Sequence, residues 1–255
     1  MALHRADPDR YAEPIARGVA WVAALQSRNG GWGAFDADNT ASYLNHIPFA
    51  DHGALLDPPT TDVTARCLGM LLQVGWPVDH PRVKAGLDFL PREQEPDGSW
   101  YGRWGANYIY GTWSVLAALN AAGVDHGAPA MRRAVAWLLS RQREDGGWGE
   151  DGRSYWKDQP RGAAGESTPS QTAWALLGLM AAGEANSPAV ARGIAYLEAA
   201  QGDEGTWDEQ AFTAVGFPRV FYLRYHGYRA YFPLWALARY RNLASSNTGR
   251  VRHGI

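Results

Sequence analysis

"RGVAWVAALQSRNGGW" (17–32), "AGLDFLPREQEPDGSW" (85–100), "RAVAWLLSRQREDGGW" (133–148) and "RGIAYLEAAQGDEGTW" (192–207) share one layout. In each, an aromatic residue (Trp21, Phe89, Trp137, Tyr196) precedes a glutamine (Gln26, Gln94, Gln142, Gln201) by five positions, and a tryptophan (Trp32, Trp100, Trp148, Trp207) follows that glutamine by six. Four occurrences in one register make an internal repeat. Each unit opens as an amphipathic helix, as the three- and four-residue spacing of Val19, Val22, Ala23 and Gln26 shows. It stops at Asn, Asp or Gly, which end helices at low cost.

A second helix is predicted after each stop, in "TTDVTARCLGMLLQVG" (60–75), "GTWSVLAALNAAG" (111–123), "TPSQTAWALLGLMAAG" (168–183) and "YRAYFPLWALARYRNL" (228–243). The first three begin near Thr or Ser and end in Gly, which fits N-caps and C-caps. All four are apolar over much of their circumference, so each repeat pairs an outer helix with an inner one. Successive motif tryptophans lie 68, 48 and 59 residues apart. The large loops this implies favour an α/α toroid with elaborated rims over an open solenoid. The glutamine is expected to bond orphan backbone groups at the helix end, and the tryptophan to cap the layer between hairpins. The fold expected is all-α, one incomplete toroid domain over residues 1–255, with 244–255 a flexible tail.

Composition narrows the function classes. The 255 residues carry a net charge of -2 and are 46% hydrophobic, enough for one sizeable domain that buries roughly 70–75% of its unfolded surface. A near-neutral balance without a basic run argues against nucleic acid. No apolar run of about 18 residues marks a membrane span. Charge interrupts every apolar run of "MALHRADPDRYAEP", which is unlike a signal or transit peptide. A cytoplasmic chain, or one peripheral to a cytoplasmic membrane face, is expected. The single Cys67 permits no internal disulfide and argues against a cysteine-based zinc site. The seven histidines show no metal-ligand spacing, so no metal and no cofactor is expected. The acidic stretch 144–151 reads as a solvated rim. Asp36 and Asp38, one residue apart after Trp32, could be a pair of catalytic acids or a repeat's closing loop.

"QSRNGGWGAFDADN", "NHIPF", "DPPTTDVTAR", "GSWYGRWGANYIYGT", "GGWGED", "STPSQTAWALL" and "GFPRVFYLRYHGYRAYFP" resemble bacterial squalene-hopene cyclases, from about residue 1 to about residue 243. The repeated layout resembles the QW motif of triterpene cyclases. The resemblance implies an α/α toroid as one of two domains, a membrane-associated enzyme, and cofactor-free cyclisation of squalene to hopene and hopanol. Squalene or a related polyprene, a membrane surface and a second copy of the chain are the partners it implies.

That chemistry needs a carboxylic acid kept neutral to protonate an alkene. It also needs a dry cavity whose aromatic faces stabilise carbocations without acting as bases. By resemblance Phe217, Phe221, Leu223, Tyr225 and Tyr228 line the cavity, with Phe217, Phe221 and Tyr225 facing cationic intermediates. Trp104 matches a residue above the first ring and Tyr110 one in the acid's hydrogen-bond network. Phe35 stands where some members have tyrosine, and Phe49 matches the substrate-channel constriction. The residues alone would equally allow core filling by these aromatics.

The family's acid lies in an Asp-x-Asp-Asp motif followed by Thr-Ala, and nothing here matches it. Asp36 and Asp38 imitate its spacing but end in Asn39 and sit in a loop. "MALHRAD" resembles the tail of the acid's helix, so the expectation is a C-terminal portion of a longer cyclase, inactive alone. Asp62 and Arg66 match the acid's supporting residues, with Arg66 where other members have histidine. Four apart on one helix, they would also make an ordinary i,i+4 ion pair. Two other functions compete: a non-catalytic toroid that binds an isoprenoid or a partner chain, and a prenyltransferase β-subunit-like toroid. The latter needs a zinc site of Asp, Cys and His, and Cys67 lacks the neighbouring Asp-x-Cys.

Overall fold

The computed structural model describes residues 1–49, 55–162 and 164–245, so the expected tail falls outside the described residues from 246 onward. The repeats fold as the spacing predicts. Outer helices α2 (Ala12–Ala24), α4 (Pro81–Arg92), α6 (Pro129–Arg141) and α8 (Pro188–Ala199) alternate with inner helices α3 (Thr61–Gln73), α5 (Tyr108–Ala121), α7 (Pro169–Ala181) and α9 (Tyr228–Ala244). A five-residue helix, α1 (Ala2–Ala6), precedes them. The inner helices pack in a row, α3 on α5, α5 on α7 and α7 on α9, while α4 and α8 cover α3 and α7 from outside.

Every residue of α7 is buried, as is most of α5, because neither helix has a polar face to give to water. The fourth inner helix departs from expectation. Only Pro233 and Ala236 of α9 are buried, since one side packs on α7 and the other carries Tyr231 and Leu234 into the open. The glycine stops behave as expected: Gly75, Gly123 and Gly183 have φ of 95°, 73° and 83°. The N–H after each closes back on the helix, Trp76 to the Leu71 carbonyl, Val124 to Leu119 and Glu184 to Leu179, each at 3.0 Å.

The two motif residues exchange the roles expected of them. The tryptophan satisfies the orphan carbonyls: the indole N–H of Trp32, Trp100, Trp148 and Trp207 donates to Val22, Leu90, Leu138 and Leu197, in the last turn of its own outer helix, at 2.7–2.8 Å. The glutamine amide instead bridges repeats. Gln26, Gln94 and Gln142 each donate to the carbonyl four residues on and to the first turn of the next outer helix, at Arg82, Ala130 and Ala189. Among the described residues the Gln201 side-chain amide bonds Gly205 alone. A threonine in the first turns of the first three inner helices completes the joint, because Thr64, Thr112 and Thr172 accept the backbone N–H of Trp32, Trp100 and Trp148 at 2.9–3.0 Å. Of the expected hydroxyl N-caps, Thr168 forms one and Thr60 does not.

A two-stranded antiparallel hairpin, β1 (Ala214–Phe217) and β2 (Phe221–Leu223), interrupts the helices before α9. Its turn has Pro218 at the second position and Arg219 at the third with φ of 68°, and the Val220 N–H reaches the Phe217 carbonyl at 3.0 Å. That is type II geometry, in which glycine is the low-energy choice at the third position. An arginine there stores strain of about 1–3 kcal/mol.

Candidate functional site

The loop 101–107 between the second motif tryptophan and α5 is held from every side. Asp62, in the first turn of α3 and 1% exposed, accepts the backbone N–H of Arg103 at 3.0 Å and of Trp104 at 2.9 Å through Oδ2. The Tyr155 hydroxyl donates to the Gly102 carbonyl at 2.5 Å, and the Gln171 amide donates to Ala106 at 2.9 Å. Thr61 Oγ1 donates to the Tyr101 carbonyl at 2.6 Å. Gly105 has no room for a side chain, since a Cβ there would lie 2.4 Å from the Tyr110 ring. The hairpin is sewn to this loop: Ala106 N–H donates to Thr213 and Val215 N–H to Trp104, at 2.9 and 3.2 Å.

Loop and hairpin together wall a cavity of about 890 Å³, closed on a third side by residues 35–39 and 56–60. Five of the expected substrate residues line it: Phe35, Trp104, Phe217, Phe221 and Leu223. Phe35 meets Trp104 edge to face at 5.8 Å, and Phe217 meets Phe221 likewise at 5.5 Å. Asp57 fixes the Phe35 loop by accepting the N–H groups of Ala34, Phe35 and Asp36. Phe49 does not join the cavity and is 79% exposed. Tyr225 and Tyr228 pack on each other at 5.1 Å, and Tyr228 continues onto Trp174 and Phe232 at the head of α9, beside the cavity wall instead of in it.

Asp62 and Arg66 do not form the i,i+4 pair. Asp62 spends one oxygen on the loop and leaves Oδ1 buried without a hydrogen-bond partner. The Arg66 guanidinium lies over the Trp113 ring at 4.1 Å and the Tyr110 ring at 5.5 Å, and bonds Ser114 Oγ at 3.2 Å. Burial raises the Tyr110 phenol above its ordinary range while the positive Arg66 opposes the shift, so Tyr110 stays a neutral donor. Asp36 and Asp38 are loop residues with partners of their own: Asn39 bonds Asp36, and Arg28 pairs with Asp38 at 3.2 Å.

Sequence reading missed two buried acids. Glu150, 3% exposed, lies in the stretch read as a solvated rim and instead accepts the N–H groups of Ile109, at the head of α5, and Gly162. Glu209 does the same for α7 through Ser170. Burial raises both carboxyls, against the pull of these hydrogen bonds. The available signal was their shared offset, two residues after a motif tryptophan. Also missed were Tyr101, Arg103 and Arg219, which line the cavity. Among the described residues no helix is long and apolar enough to cross a membrane.

Helix hairpins in an inner and an outer row, with an aromatic cavity built by the loops and the β-hairpin at their ends, are the α/α-toroid architecture of terpene cyclases. Solved neighbours of this class include a type II terpene cyclase from Scytonema in complex with merosterolic acid A, with a TM-score of 0.60 and 21% identity over 93% of this chain and 68% of that one. Another structure of that cyclase, in complex with geranylgeranyl dihydroxybenzoate, gives a TM-score of 0.58 at 22% identity, over 85% of this chain and 57% of that one. The family model for the squalene-hopene cyclase C-terminal domain matches residues 1–242, and the chain belongs to that family. It is 63% identical to a probable squalene-hopene cyclase of Sinorhizobium fredii, over 97% of this chain and 39% of the relative. It is 60% identical to the squalene-hopene cyclase of Zymomonas mobilis, over 100% and 40%. The chain thus spans about two fifths of the length of these relatives.

Proposed function

We propose that these 255 residues form the cavity wall of a squalene-hopene cyclase-type isomerase: they bind a squalene-like polyprene and hold its cationic intermediates. The observation that carries this reading is the Asp62 bridge. A buried carboxylate fixes the backbone of Arg103 and Trp104, and so sets the Trp104 ring against Phe35 while the sewn hairpin presents Phe217 and Phe221. Aromatic faces at that spacing stabilise a cation without offering it a base. Protonation requires an acid from outside these residues, which contain no Asp-x-Asp-Asp. Arg66, pinned over Trp113, then serves as the fixed positive charge beside that acid, and Tyr110 as a neutral hydrogen-bond donor to it. The enzyme would work peripherally on the cytoplasmic membrane, where its substrate dissolves.

The test supplies the acid. The chain is incubated with squalene alone, and again as the C-terminal part of a full-length polypeptide carrying Asp-x-Asp-Asp from the Zymomonas mobilis relative. Pentacyclic product from the joined protein and none from the chain alone is expected, with Phe217→Ala shifting product toward incompletely cyclised material. A correctly folded joined protein that yields no cyclic product would overturn the reading in favour of a binding module.

A further inference from the structure

The cavity wall carries cations that a hydrocarbon does not use. Arg103 and Arg219 both line it, and the phenol of Tyr101, also in its wall, lies in the field of both guanidinium groups. Arg103 lies over Trp104 at 4.3 Å and over Phe217 at 5.6 Å, and its Nη1 is buried with no hydrogen-bond partner. Thr60 Oγ1, in the 56–60 wall of the same cavity, is likewise buried and unpartnered. Neither arginine forms an ion pair among the described residues. The two acids of the cavity come from a different wall and are engaged there, Asp57 with three backbone N–H groups and Asp36 with Asn39.

Arg219 adds an independent observation. It occupies the left-handed position of the hairpin turn, where glycine would be unstrained, and it is exposed where the turn borders the cavity, with its guanidinium over the Trp156 ring at 5.5 Å just outside the cavity lining. Backbone strain concentrates where a side chain is wanted for binding. Guanidinium groups are well suited to phosphate and carboxylate oxygens, which they engage through paired N–H donors.

We infer that the cavity also takes a polyprenyl chain ending in an anionic head group, a diphosphate or a carboxylate, with the chain against Trp104, Phe217 and Phe221 and the head on Arg103 and Arg219. This rests on reading the cavity as a polyprene site, and the ligands below separate the two. Binding to the 255-residue chain is measured by equilibrium dialysis with farnesyl diphosphate, farnesoic acid, farnesol and inorganic pyrophosphate. At least one anionic polyprene is expected to bind tenfold or more tightly than farnesol, and pyrophosphate at least tenfold more weakly than farnesyl diphosphate. Raising sodium chloride from about 50 to 500 mM should weaken the anionic ligand and leave farnesol unchanged, since only the former depends on screened charge.

Arg219→Gly separates structure from binding. It relieves the turn, so the variant should unfold at the same or a higher temperature than the parent yet lose most of the preference for the anionic head. Arg103→Gln, checked for native circular dichroism, should lose the rest, and Arg103→Lys should retain part. Equal affinity for farnesol and both anionic polyprenes overturns the inference, as does a preference that survives Arg219→Gly with Arg103→Gln, or pyrophosphate binding as tightly as farnesyl diphosphate. If neither farnesol nor either anionic polyprene binds, the polyprene reading of the cavity fails and the inference falls with it.

Discussion

Replacing Gln142 by alanine tests the claim that the motif glutamine joins successive repeats. Both N–H bonds of its amide are used, to Gly146 at 2.9 Å and to Ala189 in the first turn of α8 at 2.8 Å, and its Oε1 accepts from Arg192. Each such bond contributes about 0.5–1.5 kcal/mol net, and the carbonyls left behind are partly buried, so Gln142→Ala should cost about 2–3 kcal/mol. For a chain of this size 1 kcal/mol moves the midpoint by about 2–4 °C, which gives a fall of about 4–12 °C. Gln201 is the internal control, because it occupies the same motif position but has one exposed bond and, among the described residues, no following outer helix to reach. Gln201→Ala should cost about 0.5 kcal/mol. Gln142→Glu keeps the Arg192 partner but turns an acceptor oxygen toward two carbonyls, and should be no better than alanine. Urea unfolding followed by circular dichroism, with thermal melts in parallel, reads all three. If Gln142→Ala and Gln201→Ala agree within about 0.5 kcal/mol, the glutamine is not a joint between repeats.

Gly149→Ala should give little soluble protein, because the added Cβ would lie 1.7 Å from the Glu166 carbonyl oxygen; Gly75→Ala, with open space but φ of 95°, should cost only about 1–2 kcal/mol by thermal melt. Burial holds the Glu150 carboxyl above its ordinary range in the folded state, so folding binds protons and its contribution falls as pH rises above about 4.3, the unfolded value. The stability of the parent relative to Glu150→Gln should therefore decline as pH rises above about 4.3; a gap independent of pH in urea titrations would contradict the burial argument. Asp62→Ala strands the N–H groups of Arg103 and Trp104 and should cost about 3 kcal/mol or more, while Asp62→Asn, which keeps one acceptor oxygen, should lose less in the same titrations.

The helix rows were legible because the repeat fixes them twice, through apolar periodicity and through glycine stops whose positive φ the structure reproduces at Gly75, Gly123 and Gly183. What spacing could not reveal was the direction of the hydrogen bonds. Gln and Trp are both donors, and which one reaches back to its own helix and which one across to the next depends on the packing of neighbouring hairpins. Glu150 was misread for a related reason: an acid among acids looks solvated until the fold places the head of α5 over it. The hairpin hid in a segment dense with aromatics, where β1 forms against the Gly105 loop, more than a hundred residues upstream. Five cavity residues were recognisable from the family pattern, whereas no motif or spacing singled out Arg103 and Arg219, which the fold brings into the same wall.

The wiring also explains where the cavity can yield. Gln26, Gln94 and Gln142 each tie one repeat to the next, and the chain of ties stops at Gln201, immediately before the segment that carries the hairpin. Trp104 and Phe35 belong to a frame fixed by Asp62, Tyr155 and Gln171 through buried or partly buried bonds, and by Asp57 through one partly buried and two exposed ones. Phe217, Phe221 and Leu223 ride instead on a short ribbon, held to that frame by the backbone bonds of Ala106 and Val215 and by the Tyr222 hydroxyl on the Gly152 carbonyl. Segments with few buried contacts and short ladders open at the smallest free-energy cost. One wall of the cavity is thus fixed by side-chain bonds within the repeats and the other by the backbone bonds of the ribbon, whose Ala214 and Val215 are buried, so loosening the ribbon would leave the glutamine ties between repeats intact.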